Sequence, residues 1–374
     1  MNASNPVVDW LKTMVERKAS DLFLTAGFPP ALKLDGKVVP LPGDKLSNAD
    51  TQGLAKSVMT EKQWNGFVNS KEANFAIFDE KIGRFRVSAF MQQGRVGCVF
   101  RAINTQIPEL GDLHLPPVLK DMAMMPRGLV LLVGATGSGK STTLAAMMGY
   151  RNQRRAEHIL TVEDPIEFVH QHGHSIVTQR EVGSDTEDWH TALKNSLRQA
   201  PDVILIGEIR ERSIMEFALS YAETGHLCLS TLHANNTNQA LERIMSFFPL
   251  DRREQLLLDL SMNLRGIVSQ RLILRTDGKG RIPAVEVMLG SPLISDLIFK
   301  GRLDEVKAIM AKSRDLGMVT FDQALFDLYD IGAISGEDAL RNADSFNDLR
   351  LKIKLKGHDQ DDHSLKAPDQ LGIV

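Results

Sequence analysis

One stretch constrains this chain more than any other: Gly134-Ala135-Thr136-Gly137-Ser138-Gly139-Lys140-Ser141-Thr142. Its glycines, lysine and hydroxyls match G-x-x-x-x-G-K-[ST]. The apolar run at residues 129–133 precedes it and reads as a buried strand, and residues 141–147 follow with the composition of a helix. A chain that passes from strand to helix within so few residues is committed to an α/β arrangement there. Glycine permits the left-handed dihedrals that turn successive N–H groups inward toward phosphate oxygens. The start of the helix adds its positive end. Lys140 is placed to reach β- and γ-phosphates, and the Ser141 hydroxyl to ligate Mg²⁺. At ordinary residue usage about 0.01 such matches arise by chance in a chain of this length, so an accidental glycine turn explains the motif poorly. The motif implies a bound ATP or GTP.

Composition bounds the rest. At 374 residues the chain is long enough for two domains, each with its own core. A net charge of −3 and three scattered tryptophans provide neither a basic stripe nor a stacking platform, which argues against a nucleic-acid translocase. No apolar run approaches the ~20 residues of a membrane span, and the first residues lack a signal-peptide pattern, so a cytoplasmic location is expected. Cys98 and Cys228 are the two cysteines, too few for a disulfide framework or a four-thiolate zinc site.

Patterning divides the chain near residues 102–117. Val7, Val8, Leu11, Met14 and Val15 recur at helical spacing. Residues 21–25 read as a strand, and Asp35-Gly36 between apolar pairs is a hairpin signal. Ser47, with Asp50 three residues on, caps a helix running to about Met59. Alternation over residues 84–91 and 96–101 adds two strands. Residues 1–101 therefore form a small α+β domain. Residues 102–117, with Pro108, Pro116 and Pro117, read as a linker. Beyond them, apolar runs at 129–133, 159–162, 203–206 and 227–231 alternate with amphipathic helices, the pattern of a mostly parallel sheet. From Asn236 helices are expected to dominate, interrupted by a hairpin around residues 277–280. This second domain covers 118–350. The remainder, 351–374, is polar and reads as a disordered tail in which His358 and His363 are solvated.

Ligands of open α/β sheets bind at the carboxyl ends of strands. The strand at 159–162 leads into Glu163-Asp164-Pro165, the strand at 203–206 into Gly207-Glu208, and the strand at 227–231 into Leu232-His233. Hydrolysis needs Mg²⁺ held against phosphate oxygens and a carboxylate to orient water. Glu163 and Glu208 can supply both functions, with His233 as a γ-phosphate contact.

Taken in order, G-A-T-G-S-G-K-S-T, T-V-E-D-P-I-E-F, R-Q-A-P-D-V-I-L-I-G-E-I-R and T-G-H-L-C-L-S-T-L-H-A-N resemble the Walker A, Asp box, Walker B and His box of secretion-superfamily ATPases. The segments A-S-D-L-F-L-T-A-G-F-P-P and F-R-V-S-A-F-M-Q-Q-G-R-V-G-C-V-F-R resemble its PilT/PilU-type pilus retraction branch, and the likeness runs from about residue 5 to 345. The resemblance implies a homohexameric ring of PAS-like plus RecA-like domains with ATP bound between subunits. It implies Glu163 as the water-activating base and Glu208 as a Mg²⁺ holder, partly through water. It also implies Arg86, Arg95 and Arg101 of the N-terminal domain as phosphate contacts. The partners implied are a PilT-type paralogue and an inner-membrane platform protein, which would put the ring peripherally at the inner-membrane base of the pilus.

Two departures narrow the resemblance. Assembly ATPases of the superfamily carry a four-cysteine insert that two cysteines cannot build. After Gly290-Ser291-Pro292, the PilT-type A-I-R-N-L-I-R is replaced by Leu293-Ile294-Ser295-Asp296-Leu297-Ile298-Phe299, and Phe23 stands where a histidine is usual. These changes resemble the PilU side of the branch, which implies an accessory retraction motor. An ATP-binding regulatory or assembly subunit with slow turnover is the alternative.

Overall fold

Helix Pro6–Glu16 starts where the Asn5 side chain accepts a hydrogen bond from the Val7 amide and proline fills the first turn, where its missing N–H costs nothing. Val7, Val8, Leu11 and Met14 turn inward, whereas Val15 is exposed, one step beyond the apolar stripe. The computed structural model describes residues 5–34, 36–79, 81–103 and 106–356. They fall into two units, each discontinuous in sequence: Met1–Ile107 with Glu163–His170 and Gln179–Asp188, and Pro108–Val162 with Gln171–Thr178 and Trp189–Val374.

The first unit is built on an antiparallel sheet. Its strands are β1 (Asp21–Thr25), β2 (Ala31–Leu34), β3 (Lys37–Pro40), β4 (Glu72–Asp79), β5 (Gly83–Gln92) and β6 (Arg95–Ile103), in the order β3-β2-β1-β6-β5-β4. β2 and β3 pair as a hairpin down to Leu34 opposite Lys37; Asp35 lies outside the described residues. Helix Asn48–Val58 carries a capping box of Ser47 and Asp50. Helix Glu61–Ser70 and β4 escape a reading of periodicity. The helix buries Phe67 alone, which leaves no apolar stripe, and β4 shows its alternation only through Phe75 and Ile77. Phe85, Val87 and Ala89 of β5 join Leu11, Leu22 and Phe100 in the core, so the alternate residues Arg84, Arg86 and Ser88 take the other face.

The second sheet holds β7 (Gly128–Val133), β8 (His158–Glu163), β9 (Ile176–Glu181), β10 (Val203–Ile206), β11 (Leu227–Leu232), β12 (Leu264–Leu274) and β13 (Arg281–Leu289), in the order β13-β12-β7-β11-β10-β8-β9; its residues belong to the second unit except Glu163 of β8 and the last three of β9, which are counted with the first. β7, β8, β10 and β11 are joined by parallel pairings, and all of β7, β10 and β11 is buried. Strands covered on both faces are apolar almost throughout, which is why they read as runs rather than alternations; the buried Ser230 and Thr231 of β11 both have hydrogen-bonded hydroxyls. Each such side chain contributes about 1.5–3 kcal/mol.

Three boundaries differ from the sequence reading. The hairpin expected around 277–280 is the tip of two long strands, β12 of 11 residues and β13 of 9, and β12 also pairs in parallel with β7. The region after Asn236 therefore extends the main sheet rather than merely covering it with helices. Residues from Pro108 already belong to the second unit, where Leu110, Leu119 and Met122 are core. The tail begins later than 351, because helix Phe346–Leu355 buries Leu349 and Ile353 against Phe321 and Leu325. Those two positions are one helical turn apart, a stripe too narrow to stand out among the lysines around it. Residues 357–374 lie outside the described residues.

Gly290 ends the β12–β13 pair in a close approach. A Cβ added there would sit 2.3 Å from the Leu264 carbonyl oxygen, and main chain on both sides leaves nothing flexible to yield. Gly290→Ala is expected to lower stability by about 1–3 kcal/mol, read as a reduced urea midpoint at unchanged slope.

Candidate functional site

The loop after β7 closes on a narrow gap. Gly134, Gly137 and Gly139 have φ of 155°, 76° and 92°. A Cβ on Gly134 would meet the Ser138 hydroxyl at 2.4 Å and the Gln270 carbonyl at 2.6 Å; one on Gly139 would meet Gln270 Nε2 at 2.6 Å. Two of the loop's glycines are thus demanded by crowding as well as by dihedral angle. Gln270 sits buried on β12, and its Oε1 accepts a 2.8 Å hydrogen bond from Thr143 in the helix Lys140–Asn152. This residue buttresses the loop from the neighbouring strand. The sequence reading overlooked it, although a glutamine inside the apolar run of β12 was the available signal.

Lys140 is 9% exposed, and its Nζ donates to the carbonyls of Gly134 at 2.7 Å and Ala135 at 2.9 Å. Burial pushes its pKa down, while the negative charge of Glu208 works in the opposite direction. Thr136 and Ser141 are exposed and Thr142 half-buried around the same turn. The Ser138 hydroxyl is buried without a hydrogen-bond partner. Such a group costs free energy until something bonds it, and in a loop of inward-turned amides an anionic oxygen is the fitting acceptor.

Glu208 follows β10 in a loop sewn to β11: Thr231 Oγ1 donates to the Gly207 carbonyl at 2.7 Å and the Ile209 amide to the Thr231 carbonyl at 2.9 Å. His233 Nε2 donates to Glu208 Oε1 at 3.0 Å, and Arg210 binds the other oxygen at 2.7 Å. Sequence reasoning assigned His233 to phosphate and did not single out Arg210. Here both ring and guanidinium fix the carboxylate. The chain leaving His233 is held in turn by Arg271, whose Nη2 donates to the Asn235 carbonyl at 3.1 Å and to Asp344 at 2.7 Å. Gly134, Ala135, His233, Asn235, Gln239 and Arg243 line a cavity of about 340 Å³ at this edge.

Lys140, Glu208 and His233 are thus brought together in the second unit. Glu163 and the three arginines belong to the first. Glu163 Oε1 accepts from Gln179 Nε2 at 3.1 Å. Arg101 is ion-paired to Asp21 at 2.8 Å and stands opposite Arg86 across the β5–β6 ladder. Arg95 opposes Gln92 at the exposed end of that hairpin. Arg84, which sequence reasoning passed over, pairs with buried Glu181 at 3.0 Å.

A Mg²⁺ ion fits the oxygen donors present. Ser141 and Glu208 are hard ligands, and no group of three or more His, Cys, Asp or Glu among the described residues could hold a metal on its own. Mg²⁺ bound with substrate phosphates and waters needs only one or two protein ligands.

Comparison with known proteins gives a consistent neighbourhood. Residues 76–313 match the family model described as type II/IV secretion system protein. The chain is 56% identical to the type IV pilus ATPase PilU of Pseudomonas aeruginosa over 94% of this chain and 92% of that protein. It is 39% identical to that organism's type IV pilus retractation ATPase PilT, over 90% of this chain and 98% of the relative. Among solved structures, one described as the pilus retraction motor PilT with bound ADP superposes with a TM-score of 0.87 at 41% identity, covering 92% of this chain and 99% of that one.

Gly139→Ala places a side chain at left-handed φ against Gln270, with strain of about 1–2 kcal/mol. Affinity for a fluorescent ATP analogue is expected to fall about tenfold, measured by anisotropy on a variant with unchanged circular dichroism.

Proposed function

The chain belongs to the type II/IV secretion system protein family, and on that footing we propose that it is a hexameric ATPase motor driving type IV pilus retraction as accessory to a PilT-type paralogue. The near full-length likeness to a pilus ATPase carries this reading. The clustering of Lys140, Glu208 and His233 beside the glycine loop supports ATP hydrolysis as its chemistry. In this reading the first unit is PAS-like and the second RecA-like. The ring works in the cytoplasm against an inner-membrane platform protein; no described helix is long and apolar enough to cross a membrane.

The chemistry follows from the residues. Loop amides and Lys140 hold the β- and γ-phosphates, with Lys140 exchanging its carbonyl partners for phosphate oxygens. Ser141 and Glu208 would hold Mg²⁺, which when bound would neutralise charge on those oxygens. Glu163 takes a proton from water as the water oxygen attacks the γ-phosphorus and the bond to ADP breaks. His233 and Arg210 keep Glu208 oriented. Arg86, Arg95 and Arg101 are assigned to phosphate charge; for Arg101 that requires leaving Asp21.

Helix Pro292–Phe299 is where a PilT-type motor carries two arginines. Here Ser291 caps it, Ile294, Leu297 and Ile298 are buried, and Leu293 and Phe299 are exposed. Ser295 and Phe299 cannot make the charge-assisted contacts that arginine makes, which supports the accessory role.

Glu163→Gln should bind ATP normally and lower kcat by roughly 10²–10⁴, measured by phosphate release; wild-type turnover would move the base elsewhere. In piliated cells lacking every PilT-type paralogue, this protein alone should not restore twitching, and adding catalytically dead PilT should. Normal twitching with this protein alone would overturn the accessory role.

A further inference from the structure

Gln179 and Glu181 lie two residues apart on β9 and so point to the same side of the strand. Both reach into the segment Glu163–His170, which belongs with them to the first unit. Gln179 is tied at three points. Its Nε2 donates to the Phe168 carbonyl at 2.9 Å and to Glu163 Oε1 at 3.1 Å, and its Oε1 accepts from the His170 amide at 2.7 Å. A main-chain carbonyl only accepts and a main-chain amide only donates, so this side chain cannot be reversed. The group it shows to Glu163 is a donor. Glu181, 3% exposed, accepts from the Ile166 amide at 3.1 Å and from Arg84 at 3.0 Å. The segment is therefore clasped at both ends, and the Glu163 carboxylate is gripped by an amide that has no rotational freedom of its own.

We infer that Gln179 is a positioning residue for ATP hydrolysis, holding Glu163 at a fixed rotation for proton transfer. Fixing its rotation matters because small misplacements of a reacting group cost large factors in rate. The inference rests on the reading of Glu163 as the base.

Gln179→Leu, Glu163→Gln and the double variant, made in the full-length chain, test it by steady-state hydrolysis. Gln179→Leu should lower kcat about 10- to 100-fold with KM for ATP unchanged. In the Glu163→Gln background the same change should have no further effect, because no carboxylate remains to be positioned. If the leucine variant fails to fold, Gln179→Met replaces it, with similar length and volume and the donor removed without adding a charge. Loss of activity in Glu163→Gln together with an unmoved kcat in the Gln179 variant would overturn the inference while leaving the base in place. An equal fold-loss in both backgrounds would do the same, assigning Gln179 a purely structural role. Wild-type turnover by Glu163→Gln would remove the base reading, and this inference with it.

Discussion

The backbone at Gly134 and Gly139 lies so close to β12 that a single methyl group would collide with Gln270 at either point. Much else is arranged around that approach. Inward-turned amides repel one another and hold a curved path only between rigid walls. One wall is β7, all six of its residues buried. The other is β12, which is why a strand from far along the chain must pair with β7 and carry a side chain that both fills the gap and bonds Thr143. A loop without that wall could relax its dihedrals, and its donors would no longer converge.

Charge is arranged on the same principle of prior restraint. A buried ammonium is costly in an apolar surround. Two carbonyls and the field of Glu208 offset part of that cost for Lys140, though burial still holds its pKa down. Glu208 is itself held from both sides by His233 and Arg210. Each group is held in orientation by its partners, the condition under which electrostatic stabilisation is most effective.

The strand-end loops are also tied to the C-terminal helices. Arg271 bonds the Asn235 carbonyl, the Asn342 carbonyl and Asp344, and stacks over Phe321 at 4.0 Å. Burial works to raise the Asp344 pKa, but hydrogen bonds from Lys307 and Arg271 outweigh it and hold the carboxyl below its usual range. Asp322 in turn accepts from the Asp344 amide at 2.8 Å. The chain after His233 and the last helical turns therefore share one polar network.

What the sequence by itself determined is local. The glycine loop, the apolar strands and the acids at their ends are readable because each depends on a few consecutive residues: a left-handed dihedral, a run buried on both faces, a carboxylate at or just past a strand end. The caps at Ser47 and Asn5 belong to the same class. Only the tertiary structure decided what touches the loop and the acids. Gln270 is 130 positions from Lys140 along the chain, Arg84 is separated from Glu181 by 97, and Gln179 from Glu163 by 16. No periodicity encodes such pairs. They arise because sheet order and register place distant strands 4.7–4.9 Å apart, and a polar side chain in a strand acquires its role from whichever neighbour that packing supplies.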